Sequence, residues 1–243
     1  MNQLKHKREF EKILRDYTLP KGVSDLLKGM KLVLLIGPTA AGRNTIIEEL
    51  VASGGFVFIV SDTTRKPRLN NGIMEKNGDD YWFRKEDEFL SDLKKGEFLE
   101  AEVIHEQQVS GISIRELKKV HDFGKIAVSD VDIKGFINII NRKPDTIGIY
   151  VLPPSFDTWL ERIESRSELP KEEIINRLKT GLRIFEMAKQ SKDHVIINDE
   201  LNKAVDLVDR IAHGQKVEES IDTGILIDDL ITKTKEYIKR HTS

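Results

Sequence analysis

The sequence contains no cysteine, which excludes a disulfide framework and any cysteine–histidine metal site. Its six histidines (His6, His105, His121, His194, His213 and His241) are scattered, without metal-ligand spacing. No apolar run approaches the ~20 residues that span a bilayer. The apolar stretch at about 31–37 is short for a secretory signal and follows a charged lead. An excess of charge is also missing: 39 Lys and Arg against 41 Asp and Glu leave a formal net charge of -2. A dedicated nucleic-acid binder carries a basic excess, so nucleic acid and membrane are not expected partners, and any phosphate recognition falls to local arginine clusters. What is present is ordinary for a globular protein: 39% hydrophobic and 33% charged residues in a chain of 243. That length suits one α/β core with inserted subdomains or short extensions. The expected compartment is the cytoplasm.

Residues 4–17 place Leu4, Phe10, Ile13 and Leu14 near helical spacing, which predicts an amphipathic lead helix stopped around Pro20 and Gly22. The run Lys31–Ile36 predicts a strand buried on both faces. A glycine-bounded loop follows, then a helix over Asn44–Val51. Further apolar strands are expected at 56–60, 125–129, 146–151 and 194–198. Helical patterns lie at about 133–142, 155–165, 171–190 and 200–212. Strands alternating with helices predict a mainly parallel sheet covered on both faces. The stretch Asp62–Ser113 is polar and rich in turns, with strand-like pieces such as Asp80–Phe83, and reads as an inserted lobe. The Arg-, Lys- and Glu-rich helical segment at about 154–190 suits a mobile lid. After a polar linker from Gly214 to Ser220, a last helix carries an apolar stripe of Ile227, Leu230, Ile231, Thr234, Tyr237 and Ile238. The stripe is expected to dock on the same core or on a partner subunit.

A phosphate-binding loop places glycines so that backbone N–H groups curl around a polyphosphate at a helix N-terminus. The segment Gly37-Pro38-Thr39-Ala40-Ala41-Gly42-Arg43-Asn44-Thr45 has that glycine spacing and the strand–loop–helix context. Its chemistry departs from the pattern. Arg43 stands where lysine is usual, and its planar fork is wider than an ammonium. Asn44 stands where a Ser or Thr hydroxyl ligates magnesium, and offers an amide oxygen instead. Ala40 replaces a loop glycine, which restricts φ there. The other reading of the segment is a tight strand-to-helix turn.

Beyond the loop, Val60-Ser61-Asp62-Thr63-Thr64-Arg65-Lys66-Pro67-Arg68 resembles the signature of the guanylate kinase family, in which a serine, Thr-Thr-Arg and Pro-Arg line a monophosphate site. Gly78–Phe83, Glu97–Glu100, Asp130-Val131-Asp132 with Gly135, Val151–Ser155, the arginines Arg162, Arg166 and Arg177, and Val195–Asp199 follow in the family's order with similar spacings. The resemblance covers roughly residues 31–212. It implies a P-loop NTPase-type α/β fold: a mainly parallel sheet flanked by helices, with an inserted mixed α/β monophosphate-binding lobe at about 62–113 and a helical lid at about 154–190. The expected organisation is an N-terminal helical extension (1–30), a guanylate kinase-like domain (31–213) and a C-terminal linker with an amphipathic helix (214–243).

The residues support that resemblance on chemical grounds. Two arginines three apart on a turn, Arg65 and Arg68, can grip a dianionic phosphate with charge-assisted bonds, with Tyr81 adding a hydroxyl and Ser61 nearby. A solvated basic turn is the alternative. A carboxylate at Glu100 can accept both N–H donors of guanine's ring N1 and exocyclic amine, whereas adenine presents an acceptor at that ring position. Asp130 and Asp132 end a strand, where open α/β sheets place their ligand crevice, or they simply cap the next helix. By resemblance, Asp132 faces the base and Asp130 the phosphates and magnesium, while Asn198 sits by the ATP base. The lid arginines would neutralise the transferred phosphoryl group, or would pair along an exposed helix, as Glu173 with Arg177 at i,i+4 spacing. A second departure follows Glu100: Val109 and Ser110 occupy the places of the family's tyrosine pair, with Gly111 and Ser113 matched. The resemblance implies a phosphotransferase moving the γ-phosphoryl of ATP to GMP or dGMP with Mg2+, in a monomer or homodimer. The alternative is a catalytically inactive module of the same family that binds a nucleotide, phosphopeptide or protein partner.

Overall fold

The structure is a computed structural model that describes residues 4–20, 22–70, 72–104, 106–165, 169–217 and 222–242. The lead helix forms as α1 (Lys7–Arg15). A second short helix, α2 (Val23–Lys28), follows the expected stop. It has one turn and a half and little periodicity to read. Tertiary contacts hold it: Leu27 is buried, and the buried ammonium of Lys143 donates to the Leu27 carbonyl at 2.9 Å.

Strand β1 (Leu32–Ile36) is buried at every position. It leads through the glycine loop into α3 (Arg43–Ala52) and then β2 (Phe56–Phe58). The ladder of β2 is shorter than the apolar run, although the Ile59 N–H still donates to the Val128 carbonyl at 2.9 Å. Short strands β3 (Asp62–Thr63), β4 (Leu69–Asn70), β5 (Ile73–Met74) and β6 (Trp82–Phe83) follow. Then come α4 (Glu86–Lys94), β7 (Phe98–Ile104), β8 (Gln108–Ser113) and α5 (Ile114–Phe123). The remainder alternates as the sequence predicts: β9 (Ile126–Asp130), α6 (Ile133–Arg142), β10 (Ile147–Leu152), α7 (Phe156–Glu164), α8 (Lys171–Gln190), β11 (His194–Ile197) and α9 (Leu201–Ala212). The last helix is α10 (Asp222–His241). The central sheet has the order β11-β10-β1-β9-β2, and β1 with β10 and β10 with β11 pair in parallel.

The chain divides into two compact units. One comprises Met1–Leu32, Val57–Ser129 and Lys134–Thr146. It contains a four-stranded sheet in the order β6-β3-β8-β7. One face of its β7–β8 hairpin is closed by α1 and α4: Leu4, Phe10, Phe89, Leu90, Leu93, Phe98, Ala101 and Val109 form one buried cluster. Phe89 and Phe98 stack with centroids 4.3 Å apart, and Phe10 meets Phe89 edge-on at 6.0 Å. The N-terminal helix thus packs on the lobe.

The other unit comprises Val33–Phe56, Asp130–Ile133 and Ile147–Ser243. Trp159 is fully buried and meets Phe185 of α8 edge-on at 5.1 Å. A Cβ at Gly181 would come within 2.2 Å of the Trp159 ring, so this close crossing of α7 and α8 requires glycine. The apolar stripe of α10 docks on the chain's own α8 and α7. Ile227, Leu230 and Thr234 are buried there, while Ile231, Tyr237 and Ile238 are half-buried.

Candidate active site

The glycine loop is shaped by contacts that leave few residue choices. A Cβ at Gly37 would lie 2.5 Å from the Val151 carbonyl. Ala40 has φ 67, the left-handed region that an L side chain enters at a cost of about 1–3 kcal/mol; the restriction read at this position is met by strain rather than by a different loop path. Gly42 caps α3 with φ 92, and a Cβ there would meet the Asn198 amide nitrogen at 2.1 Å. Two side chains brace the loop from behind. The Trp159 indole donates to the Thr39 carbonyl at 2.8 Å, and Asn198 Nδ2 to the Ala41 carbonyl at 2.8 Å. Asn198, expected beside a nucleotide base, holds the loop's own backbone. Pro38 accepts from the Ala41 N–H at 3.1 Å. The first turn of α3 thus starts at a braced loop, with helix-terminal N–H groups that lack intrahelical partners.

Arg43 stands at that first turn. Its Nη1 lies 3.4 Å from an Asp130 carboxylate oxygen and donates to the Val131 carbonyl at 3.3 Å. The guanidinium is thereby anchored at the end of β9 rather than projecting freely. Asn44 and Thr45 are exposed on α3, as is Asp132 beyond β9. Of the arginines expected on a lid, Arg162 donates to the Asn198 carbonyl at 3.2 Å. Arg177 pairs with Glu173 at 2.9 Å, the i,i+4 arrangement that its spacing allowed. Arg166 lies outside the described residues.

In the lobe, Arg65 is half-buried. Its Nη1 and Nη2 donate to the two carboxylate oxygens of Glu75 at 2.5 and 2.8 Å, and Nη1 also to the Lys66 carbonyl at 3.1 Å. The guanidinium lies 4.6 Å from the centroid of the Tyr81 ring and 5.6 Å from that of Phe83. Glu75 was not singled out in the sequence. It is ten residues from Arg65 and is brought back by the β4–β5 hairpin, where the Glu75 N–H donates to the Arg68 carbonyl at 3.0 Å. Its carboxylate also accepts the Arg68 N–H at 2.9 Å, so one carboxylate orders both ends of the arginine turn. The Arg68 side chain itself is exposed. The Ser61 carbonyl accepts the Trp82 N–H at 2.9 Å, which sets Tyr81 beside this turn.

The hydrogen bond from Arg65 holds the Glu75 carboxyl below its ordinary range. Its contribution to stability is therefore complete above the unfolded-state value of about 4.5 and is lost as pH falls through the lower folded-state value. Acid titration of the wild type and Glu75→Gln, followed by circular dichroism, should show the stability difference between them shrink below about pH 4.5.

Glu100 is buried on β7 and accepts the Ile112 N–H at 3.2 Å. Val109 points into the hydrophobic cluster and is fully buried, whereas Ser110 Oγ lies 2.8 Å from Thr63 Oγ1. Of the two residues at the tyrosine places, only Ser110 offers a hydroxyl. A further network escaped the sequence reading because its members are 8 to 53 residues apart. Buried Asp62 is paired with Arg84 at 2.7 Å and Arg115 at 3.0 Å. Arg84 also reaches Asp92 at 2.7 Å. These bonds tie β3 to α4 and α5 behind the arginine turn. Among the described residues there is no cluster of three or more acidic or histidine side chains suited to a metal, and no helix long and apolar enough to cross a membrane.

The profile of the guanylate kinase family matches residues 29–215. The chain is 33% identical over 189 residues to the guanylate kinase of Sulfurimonas denitrificans, covering 77% of this chain and 89% of that one. It is 35% identical over 176 residues to the guanylate kinase of Sus scrofa, covering 71% and 86% respectively. Among solved structures, the guanylate kinase of Anaplasma phagocytophilum matches with a TM-score of 0.57 at 24% identity, over 78% of this chain and 87% of that one. At that identity the structural match speaks for the fold.

Proposed function

This chain belongs to the guanylate kinase family, and from that premise we propose that it transfers the γ-phosphoryl group of ATP to GMP or dGMP, giving ADP and the diphosphate. The observation that carries the reading is the arginine turn. Arg65 is pre-oriented by Glu75 and stacked on Tyr81 before any ligand arrives. Its bonds to Glu75 and Lys66 use three of the five N–H donors an arginine has, and the Tyr81 side chain is a further hydrogen-bond partner that a phosphate would share or replace. A ligand phosphate can therefore be gripped with Glu75 still in place. Arg68 and Tyr81 complete the grip, with Ser61 at its edge, and Glu100 reads the guanine N1–H and exocyclic amine. Asp132 is the second proposed base contact.

At the donor end, the loop backbone from Gly37 to Thr45 would cradle the triphosphate, and Arg43 would bear on its outer phosphates. Direct transfer requires an acceptor oxygen in line with the γ-phosphorus, and its transition state is served by positioning and charge rather than by covalent chemistry. Arg162, Arg166 and Arg177 are the proposed neutralisers of that charge, the Glu173 and Asn198 contacts of two of them exchanging for phosphate oxygens. Magnesium takes one or two protein oxygens and otherwise phosphate oxygens and water. The Asn44 amide oxygen and the Asp130 carboxylate fit that donor set, and a bound ion would shield the phosphate charges. A cytoplasmic location goes with this activity, as does the reading of 31–213 as the catalytic domain.

The rival, a module that binds without transferring, draws on one observation: Arg43 is already engaged by Asp130 and Val131. A coupled assay of ADP release with ATP, Mg2+ and each of GMP, AMP, UMP and CMP decides between them. Turnover with GMP, at least about a hundredfold above the others, is the expected result. No turnover above that of Arg65→Ala would leave the binding module.

A further inference from the structure

The family profile begins at residue 29, yet residues before it reach the strand that carries Glu100. In β7, Phe98 lies opposite Ser113 and Glu100 opposite Ile112, so two residues of β7 span one of β8. Leu99 is the extra residue of a β-bulge. The bulge resolves a conflict of periodicity. Regular alternation would put Phe98 on the same face as Glu100 and Glu102. With the extra residue, Phe98 joins Ala101 and Val109 in the hydrophobic cluster. Glu100 and Glu102, paired with Ile112 and Ser110, take the opposite face.

β7 is the last strand of its sheet, so its outer edge has backbone groups that β8 does not pair. At the bulge, one side chain takes both. Tyr17 Oη donates to the Phe98 carbonyl at 2.7 Å and accepts the Phe98 N–H at 3.2 Å. Arg142 holds Tyr17 in turn, donating to its carbonyl at 3.3 Å with the guanidinium 5.7 Å from the ring centroid. The segment between Tyr17 and α2 is seated as well: a Cβ on Gly96 would lie 2.4 Å from Pro20 Cγ. Charge pairs fasten α1, with Lys94 on Glu9 at 2.7 Å and Lys7 on Glu106 at 2.8 Å. Burial pushes the Tyr17 phenol above its ordinary range, which keeps it protonated and able to donate and accept together.

We propose that Tyr17 is a positioning residue for base recognition: by clamping the Phe98 bulge it fixes how β7 presents Glu100, so the N-terminal extension sets discrimination at the guanine edge. The inference rests on the reading of Glu100 as the group that accepts the guanine donors. Inosine monophosphate lacks the exocyclic amine and keeps the rest, so the ratio of its Kd to that of GMP reports the alignment of Glu100. Titration calorimetry with the full chain measures this ratio whether or not transfer occurs. The wild type should favour GMP by roughly ten- to a hundredfold, the worth of one hydrogen bond to a charged group. Tyr17→Phe keeps the ring in the cluster and removes only the hydroxyl. It should lower the GMP preference by roughly five- to tenfold, leave the Kd of ATP unchanged and speed hydrogen exchange at the Phe98 amide. Should Tyr17→Phe not fold, Arg142→Gln loosens Tyr17 from the other side, and a smaller loss of preference is expected. A lower melting temperature with an unchanged Kd ratio, in whichever variant folds, would make the contact a structural brace and overturn the proposal. A wild type with no preference for GMP would instead remove the base-reading role of Glu100, and this inference with it.

Discussion

Arg65→Ala is expected to lower kcat/KM for GMP by about two to four orders of magnitude. Two charge-assisted bonds to the acceptor phosphate are worth about 3–6 kcal/mol together, and each decade of rate corresponds to about 1.4 kcal/mol. The same change leaves the Glu75 carboxylate, whose side chain is only 12% exposed, without its guanidinium partner. A fall in melting temperature should therefore accompany the kinetic loss. Glu75→Gln separates the two effects. It keeps the shape and one acceptor, so Arg65 stays in the turn but less firmly, and KM for GMP should rise with kcat little changed. Steady-state kinetics beside thermal unfolding reads both. If Arg65→Ala lost stability but kept kcat/KM within a factor of three, Arg65 would be a strut of the hairpin and the acceptor phosphate would bind elsewhere.

Arg43→Ala is the second large effect, with kcat expected to fall about 10²- to 10³-fold, the usual loss on removing one preorganised charge donor from a transfer site. KM for GMP should not move. Arg43→Lys is the more instructive variant, because it restores the residue usual in such loops. The guanidinium of Arg43 reaches both the Asp130 carboxylate and the Val131 carbonyl, and the φ of 67 at Ala40 shapes the loop around it. Both contacts come from the single nitrogen Nη1, and a lysine ammonium, on a shorter stem and without the planar guanidinium, ends nearer the backbone and does not reach both. A loss of about tenfold is expected, the value of one hydrogen bond to a charged group. A gain in kcat from Arg43→Lys would mean that the arginine is a defect the loop tolerates, and would strengthen the reading of a binding module.

Much of the loop proposed to hold the donor was legible because it is local. The buried run of β1, the glycines of the loop and the start of α3 lie within about twenty residues, and each follows from backbone sterics and helix-end electrostatics. The strain at Ala40 could be foreseen for the same reason. The lobe was legible only in outline. Its strands β3 to β6 have two residues each, too few for a period to register, and α4 and α5 were not separated from the turns around them. Glu75 stayed hidden because carboxylates are common on polar hairpins. Only the pairing of β4 with β5 distinguishes it from its neighbours.

Pattern and spacing by themselves determined the class of fold, the order of the main elements outside the lobe, and the residue types able to meet two phosphates. Those are properties of short windows, where periodicity and side-chain chemistry act without help from the rest of the chain. Tertiary structure decided what each charged group is joined to. Arg65 is held by Glu75, Arg43 by Asp130, the loop by Asn198 and Trp159, and the bulge beneath Glu100 by Tyr17. Such pairings depend on directions and distances fixed by packing across 10 to 157 residues of chain, and a hydrogen bond weakens within a fraction of an ångström or a few tens of degrees of misalignment.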